Sequence, residues 1–153
     1  MSVIGNGLRD AWQDFALPSW GGRAALDNPV VYPNHYTDLG LSDDGDAWKL
    51  WWRWLPAAQN DFAARMDWTV AENYADANHQ PKVVSATPLR QVVQPGGVVS
   101  LDLSGSSDPD GDALSYSCWE YADADTVQSE VPIVSDGGGK FHFTVPDEQD
   151  KQI

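Results

Sequence analysis

The stretch Trp48–Trp68, WKLWWRWLPAAQNDFAARMDW, holds five of the chain's eight tryptophans. At about 100° per residue, Ala47, Leu50, Trp51, Trp54 and Leu55 share one face of a helix, with Lys49 and Arg53 opposite. Trp48 and Trp52 fall on the flank. Pro56 lacks a backbone donor, so the pattern predicts a helix that kinks or restarts there. Beyond it Phe62 and Met66 lie four apart, near Ala58 and Val70, and the helical run should end between Tyr74 and Asn78, ahead of Pro81. A tryptophan density of this kind serves either a core-forming helix or a displayed aromatic platform for a ring-shaped ligand. The shared face assigns Trp51 and Trp54 to a core and leaves Trp48 and Trp52 as the platform candidates.

Upstream, the first 40 residues are rich in turns: PSWGGR (Pro18–Arg23), Asn28-Pro29 and YPNHYTD (Tyr32–Asp38) interrupt any long period. One short helix is expected near Leu8–Phe15, and Trp12, Phe15 and Trp20 need another element to pack against. SDDGD (Ser42–Asp46) precedes the tryptophan stretch. Asp44 or Asp46 can cap the next helix, since a carboxylate there accepts first-turn N–H groups and opposes the dipole; a cation loop is the alternative.

Downstream, near His79–Pro81, the period changes from about 3.6 to about 2. Val83-Val84, Val99/Leu101/Leu103, Leu114/Tyr116/Cys118 and Phe141/Phe143/Val145 each read as one face of a strand. QPGG (Gln94–Gly97), SSDPDGD (Ser106–Asp112) and SDGGG (Ser135–Gly139) separate them as turns. Short strands at such spacing predict an all-β sandwich. The fold class expected is therefore α+β: an irregular α-rich segment over residues 1–78, then an incomplete β-sandwich over residues 79–153.

Composition narrows the partners. The chain has 153 residues, with 23 acids against nine bases and a formal charge of −14. The excess is spread over both segments, with eleven acids against five bases before residue 79 and twelve against four after it. Such a surface repels phosphate backbones and excludes nucleic acid as a natural partner, while suiting cations or neutral ligands. The single cysteine, Cys118, excludes an intrachain disulfide and any CxxC metal site. No run approaches the roughly 20 apolar residues of a membrane span. MSVIGNGLRDAW carries neither the basic nor the apolar region of a signal peptide, which leaves a chain that is cytosolic as made or one whose natural N-terminus lies upstream.

Two motif groups carry a family resemblance: PSWGGR, HYTD (His35–Asp38), WRW (Trp52–Trp54) and QNDFAARMDW (Gln59–Trp68), then ANHQP (Ala77–Pro81) and LDLSGSSDPDGDALSYSCWEY (Leu101–Tyr121). In this order they resemble the C-terminal half of a bacterial cellulose-binding family that joins a nucleoside-hydrolase-like domain to an immunoglobulin-like C-terminal domain. The resemblance implies the tail of the first domain over 1–78 and a truncated immunoglobulin-like sandwich over 79–153. It implies cellulose or a related β-glucan as ligand, and an extracellular or periplasmic setting. The aspartate cluster with which nucleoside hydrolases hold calcium has no counterpart here; Asp10, Asp14, Asp27 and Asp38 are separated. Ribosidase chemistry is therefore not carried over. Both ends look cut, and a sandwich lacking strands exposes unpaired edges, so a homo-oligomer that completes the sandwich is expected.

Three sets of residues are site candidates. Asp108, Asp110 and Asp112 alternate around Gly111, a spacing that lets carboxylates converge on calcium; Trp119 stands where an EF-hand needs its twelfth-position Glu, and an acidic turn bonded to its own backbone is the plainer reading. Trp119 and Tyr121 alternate with the inward set Leu114/Tyr116/Cys118, so they should face outward, where aromatic rings stack on sugar, unless residues 1–78 cover them. Trp48 and Trp52 are the helix candidates. A glycoside hydrolase of plant polysaccharide, with or without a metal, is the rival function. It needs two carboxylates about 5 to 9.5 Å apart, and 23 acids give too many pairs to choose among. Asp61 and Asp67 lie in a family-like motif, but surface polarity of a helix explains both. His35, His79 and His142 have no metal-ligand spacing, and no GxSxG elbow occurs near Ser104–Ser107.

Overall fold

Gly22 and Leu50 mark the centre of the N-terminal part of the computed structural model, which describes residues 16–126 and 130–147. The chain divides into two units between Glu72 and Asn73. The architecture is mixed helix and sheet, as the α+β expectation required. The helix expected near Leu8–Phe15, with Trp12 and Phe15, lies outside the described residues.

In the first unit a tight turn closes at Ser19–Gly22, whose amides and carbonyls bond reciprocally at 2.9 Å. The buried Ser19 hydroxyl donates to the Gly22 carbonyl and accepts the Gly21 amide. Gly22 has φ +91°, and a Cβ there would sit 3.2 Å from the Leu50 carbonyl oxygen. Only glycine meets both demands without strain. Strands β1 (Ala25–Leu26) and β2 (Tyr36–Thr37) then pair antiparallel, with Leu26 opposite Tyr36. The loop between them is shaped by Asn28, whose side-chain oxygen accepts the amides of Val30 and Val31.

Helix α1 spans only Lys49–Trp52, and α2 spans Leu55–Val70. The break falls before Pro56, not at it. Pro56 sits in the first turn of α2, where no intrahelical partner awaits its missing N–H, so it starts a helix instead of kinking one. The break shifts the angular phase between Trp52 and Leu55 and dissolves the single face read from the sequence. Leu50 is 1% exposed, but Trp51 is 52% exposed, Leu55 is also exposed, and Trp54 is half-buried. Trp51 and Leu55 are thus not core. Further along, Phe62, Met66 and Val70 lie on the open side of α2. That helix stops at Val70, short of the expected end. Asn73 starts a separate 3-10 turn, Tyr74–Asp76, through reciprocal side-chain bonds with Asp76.

In the second unit β3 (Val98–Asp102), β4 (Val134–Gly137) and β5 (Lys140–Thr144) form one antiparallel sheet in the order β3-β5-β4. Val99 pairs with Phe143 and Leu101 with Phe141, so the four share a face. Val99 and Phe141 on that face, with Val131, are the buried apolar residues among those described in this unit. Two of the expected strands, at 99–103 and 141–145, are therefore present. Lys82 makes an isolated bridge with Ser107, and residues 83–84 and 114–118 form no strand. The described strands form a single three-stranded sheet where the resemblance implied a two-sheet sandwich. Side-chain alternation marks a surface to bury; a ladder also needs a neighbouring backbone in register. The alternation itself holds, since Leu114, Tyr116 and Cys118 are half-buried between exposed neighbours.

Strand β4 was expected to be part of a turn. Gly138 and Gly139, at φ +58° and +80°, form the two-residue loop between Gly137 and Lys140. Both positive angles are what a type I′ hairpin turn demands. Asp136 is the extra residue of a bulge that shifts the register between Ser135 and Gly137. A Cβ on Gly139 would lie 2.9 Å from the Tyr116 ring, so the inward tyrosine of segment 114–118 packs on the hairpin tip.

Candidate functional site

The Trp119–Tyr121 pair is adjacent, with ring centroids 5.7 Å apart and planes tilted by 59°. Trp119 is 51% exposed and Tyr121 half-buried. Two mechanisms aim them. The alternation of 114, 116 and 118 turns residue 119 outward, and the Glu120 carboxylate accepts the amide of Val131 at 3.0 Å, pinning the segment between the two rings. The surface they make is bent, not flat. Burial raises the pKa of the Cys118 thiol beside them, which favours the thiol over the thiolate.

On the first unit Trp48 is 78% exposed and Trp52 is exposed as well. Asp46 organises both. One of its oxygens accepts the amide of Trp48, the residue just ahead of α1, at 2.8 Å, and the other faces the Trp52 indole N–H at 3.4 Å; the first turn of α1 itself has no side-chain cap, so the capping expected of Asp44 or Asp46 is not made. The Lys49 ammonium lies 5.4 Å from the Trp52 ring centre, a cation–π contact that occupies part of that ring's face. Lys49 also pairs with Asp44, whose carboxylate it holds below the usual range. Trp48 is therefore the more open of the two rings.

The DPDGD loop spends its oxygens on hydrogen bonds. Asp108 Oδ1 accepts the amides of Asp110 at 2.8 Å and Asp112 at 3.3 Å. Asp110 accepts the His79 amide at 2.6 Å and faces His79 Nδ1 at 3.1 Å; these bonds lower its pKa. The His79 ring is stacked on Tyr74, with centroids 3.6 Å apart. A cation at this loop has to compete with those donors. Among the described residues, no group of three or more His, Cys, Asp or Glu side chains is arranged to hold a metal ion. Asp61 is paired with Arg65 at 2.7 Å, one helical turn on, which fits a solvated helix surface.

A further feature was not foreseen. A cleft of about 510 Å³ opens in the first unit, lined by the Ser19–Gly22 turn together with Arg23, Asn34, His35, Tyr36, Asp38 and Trp51. Below it, the fully buried Asp43 lies between two guanidinium groups. Arg23 Nη2 is 3.3 Å from one carboxylate oxygen and Arg53 Nε is 2.8 Å from the other. Arg23 also donates to the Ser42 carbonyl at 3.0 Å. His35 Nδ1 faces Asp27 at 3.2 Å, and the Asp27 amide donates to the His35 carbonyl at 2.9 Å, which fixes the ring at the cleft margin. PSWGGR and HYTD both stand out in the sequence, but nothing in their spacing shows that they meet, and Trp51, which joins them, reads there as core.

The comparisons with known proteins match both parts of the chain. The family model described as the C-terminal domain of cellulose-binding protein Sde0182 matches residues 98–153. The chain is similar, at 34% identity and a TM-score of 0.67, to the solved structure of a nucleoside hydrolase-related hypothetical protein from Saccharophagus degradans that is associated with carbohydrate metabolism. The match covers 90% of this chain and 36% of that one, so the chain spans about a third of the length of the protein it resembles. No curated protein matches. The cellulose-binding and nucleoside-hydrolase-like parts of the resemblance each find a counterpart in these two results.

Proposed function

We propose that this chain binds cellulose or a related β-glucan through exposed aromatic rings, with Trp119 and Tyr121 as the principal contacts and Trp48 and Trp52 as secondary ones. The observation that carries the reading is the Trp119–Tyr121 ring pair, in which Trp119 is turned outward and Tyr121 is half-buried beside it. Indole and phenol faces offer apolar area to the C–H faces of a sugar ring while their polar tips stay wet. The tilt of 59° refines the ligand. Two rings so inclined cannot both lie on a flat crystal face, whereas a single glucan chain that twists along its length can meet both. The cellulose-binding description of the matching family model supports the same ligand class.

The test is retention on insoluble cellulose and retardation in gels containing soluble β-glucan. A Trp119→Ala/Tyr121→Ala double variant should weaken binding on the order of 10- to 100-fold, the equivalent of about 1.4 to 2.8 kcal/mol. Undiminished binding by that variant would sink the site. Release of reducing sugar from the same substrates by the purified chain would instead favour the glycoside hydrolase. Calcium at Asp108, Asp110 and Asp112 is a separate proposal, motivated by their spacing. Calorimetric titration with calcium tests it: heat seen with the intact chain and absent from Asp110→Ala supports it, and no heat from the intact chain overturns it.

A further inference from the structure

We infer that the cleft of the first unit is a second carbohydrate site, one that takes a sugar ring of a short neutral glucan against Trp51. The inference rests on the carbohydrate reading above but on none of the residues that carry it. Its starting point is convergence. PSWGGR and HYTD are separated in the sequence by residues 24–34, yet Ser19, Arg23, His35 and Asp38 line the same cleft. Trp51, contributed by α1, joins them with half its surface open. An exposed indole beside several polar side chains is the combination a sugar ring needs: an apolar face to stack on, and donors and acceptors for the hydroxyls around its edge.

The walls are built to hold that geometry. Gly22 brings the Ser19–Gly22 turn into backbone contact with Leu50, the residue next to Trp51. Asp43 ties Arg23 to Arg53, on either side of α1 in the sequence. The β1–β2 pairing and the Asp27–His35 bonds set the opposite margin. A stacking ring and its polar partners are thus carried by elements that share buried anchors, which lowers the ordering cost of binding.

Size and charge choose the ligand. A volume of about 510 Å³ lies within the roughly 300–1,000 Å³ typical of small-molecule sites. The one guanidinium in the lining, Arg23, faces the carboxylate of Asp43, and Asp38 adds a negative group. With the chain at −14 overall, an anionic ligand is disfavoured and an uncharged one is not.

Cellotriose binding, followed by calorimetry on the whole chain, tests the assignment. Trp51→Ala should weaken it at least about tenfold, and so should Asn34→Ala/Asp38→Ala, a pair of exposed positions whose loss leaves α1 intact. Trp119→Ala/Tyr121→Ala should leave cellotriose binding at the cleft in place. If both cleft variants bind cellotriose as the intact chain does, the second site is overturned while the Trp119–Tyr121 reading stands. If the intact chain binds neither cellotriose nor cellulose, both readings fall. Tighter binding of an uncharged nucleoside than of cellotriose, lost in Trp51→Ala, would overturn the glucan assignment for this cleft.

Discussion

Asp43 is a charged residue in the interior of the first unit. Its carboxylate is fully buried and is met by Arg23 and Arg53. Removing one member of a buried ion pair strands the other charges, at a cost of about 3–5 kcal/mol. Asp43→Asn should therefore lower the thermal midpoint of unfolding far more than Asp44→Asn, whose side chain is exposed, and the cleft should lose its ligand with it. Each of the three histidines has a carboxylate at Nδ1: His35 with Asp27, His79 with Asp110, His142 with Asp136. For Asp110, the His79 amide and ring hold the folded pKa below the unfolded one. That contribution is complete above the ordinary carboxylate pKa and is lost as pH falls through the lowered value. Melting temperature followed from about pH 7 to about pH 2.5 should decline more steeply at the acid end for the intact chain than for Asp110→Asn.

At the scale of elements, the hairpin between β4 and β5 offers a sharp comparison. Gly138 and Gly139 both have positive φ, but only Gly139 faces the Tyr116 ring. Gly139→Ala meets that ring as well as backbone strain of about 1–2 kcal/mol, whereas Gly138→Asn keeps a residue that tolerates the angle. Chemical denaturation should show a loss for the first and near neutrality for the second. The same hairpin explains what the sequence withheld. SDGGG reads as a turn because glycine signals punctuation, and nothing in it reveals that Ser135 and Gly137 also pair with β5. Val99/Leu101 and Phe141/Phe143 were legible because their period matches the face they bury. Trp51 and Leu55 were misread because the helix period was carried across Arg53-Trp54, where the chain breaks step. Of the sites, the outward turn of Trp119 was legible from alternation. The cleft was not, since it needs residues 19–23 and 34–38 brought together by β1–β2 pairing.

For the whole molecule, surface charge and sheet edges decide how it meets other things. The free edge of β3 is already occupied in part: Ala86 donates to the Asp102 carbonyl at 2.8 Å, Thr87 Oγ1 accepts the Asp102 amide, and Gln91 reaches the Ser100 carbonyl. β4 is short and bulged. Edges blunted in these ways do not invite strand pairing, so the expected homo-oligomer finds no support in the sheet. Binding to a neutral glucan releases few counterions, and its affinity should change less than about twofold between low and physiological salt, measured on the soluble polymer, despite the charge of −14. The bridging of Asp43 has one more consequence. The chain has only nine lysines and arginines, and Arg23 and Arg53 have their side chains largely buried on Asp43. A protease that cuts after basic residues must draw those guanidinium groups out before it can seat them, so the charge network that shapes the cleft also withholds two of the few points at which such an enzyme could begin.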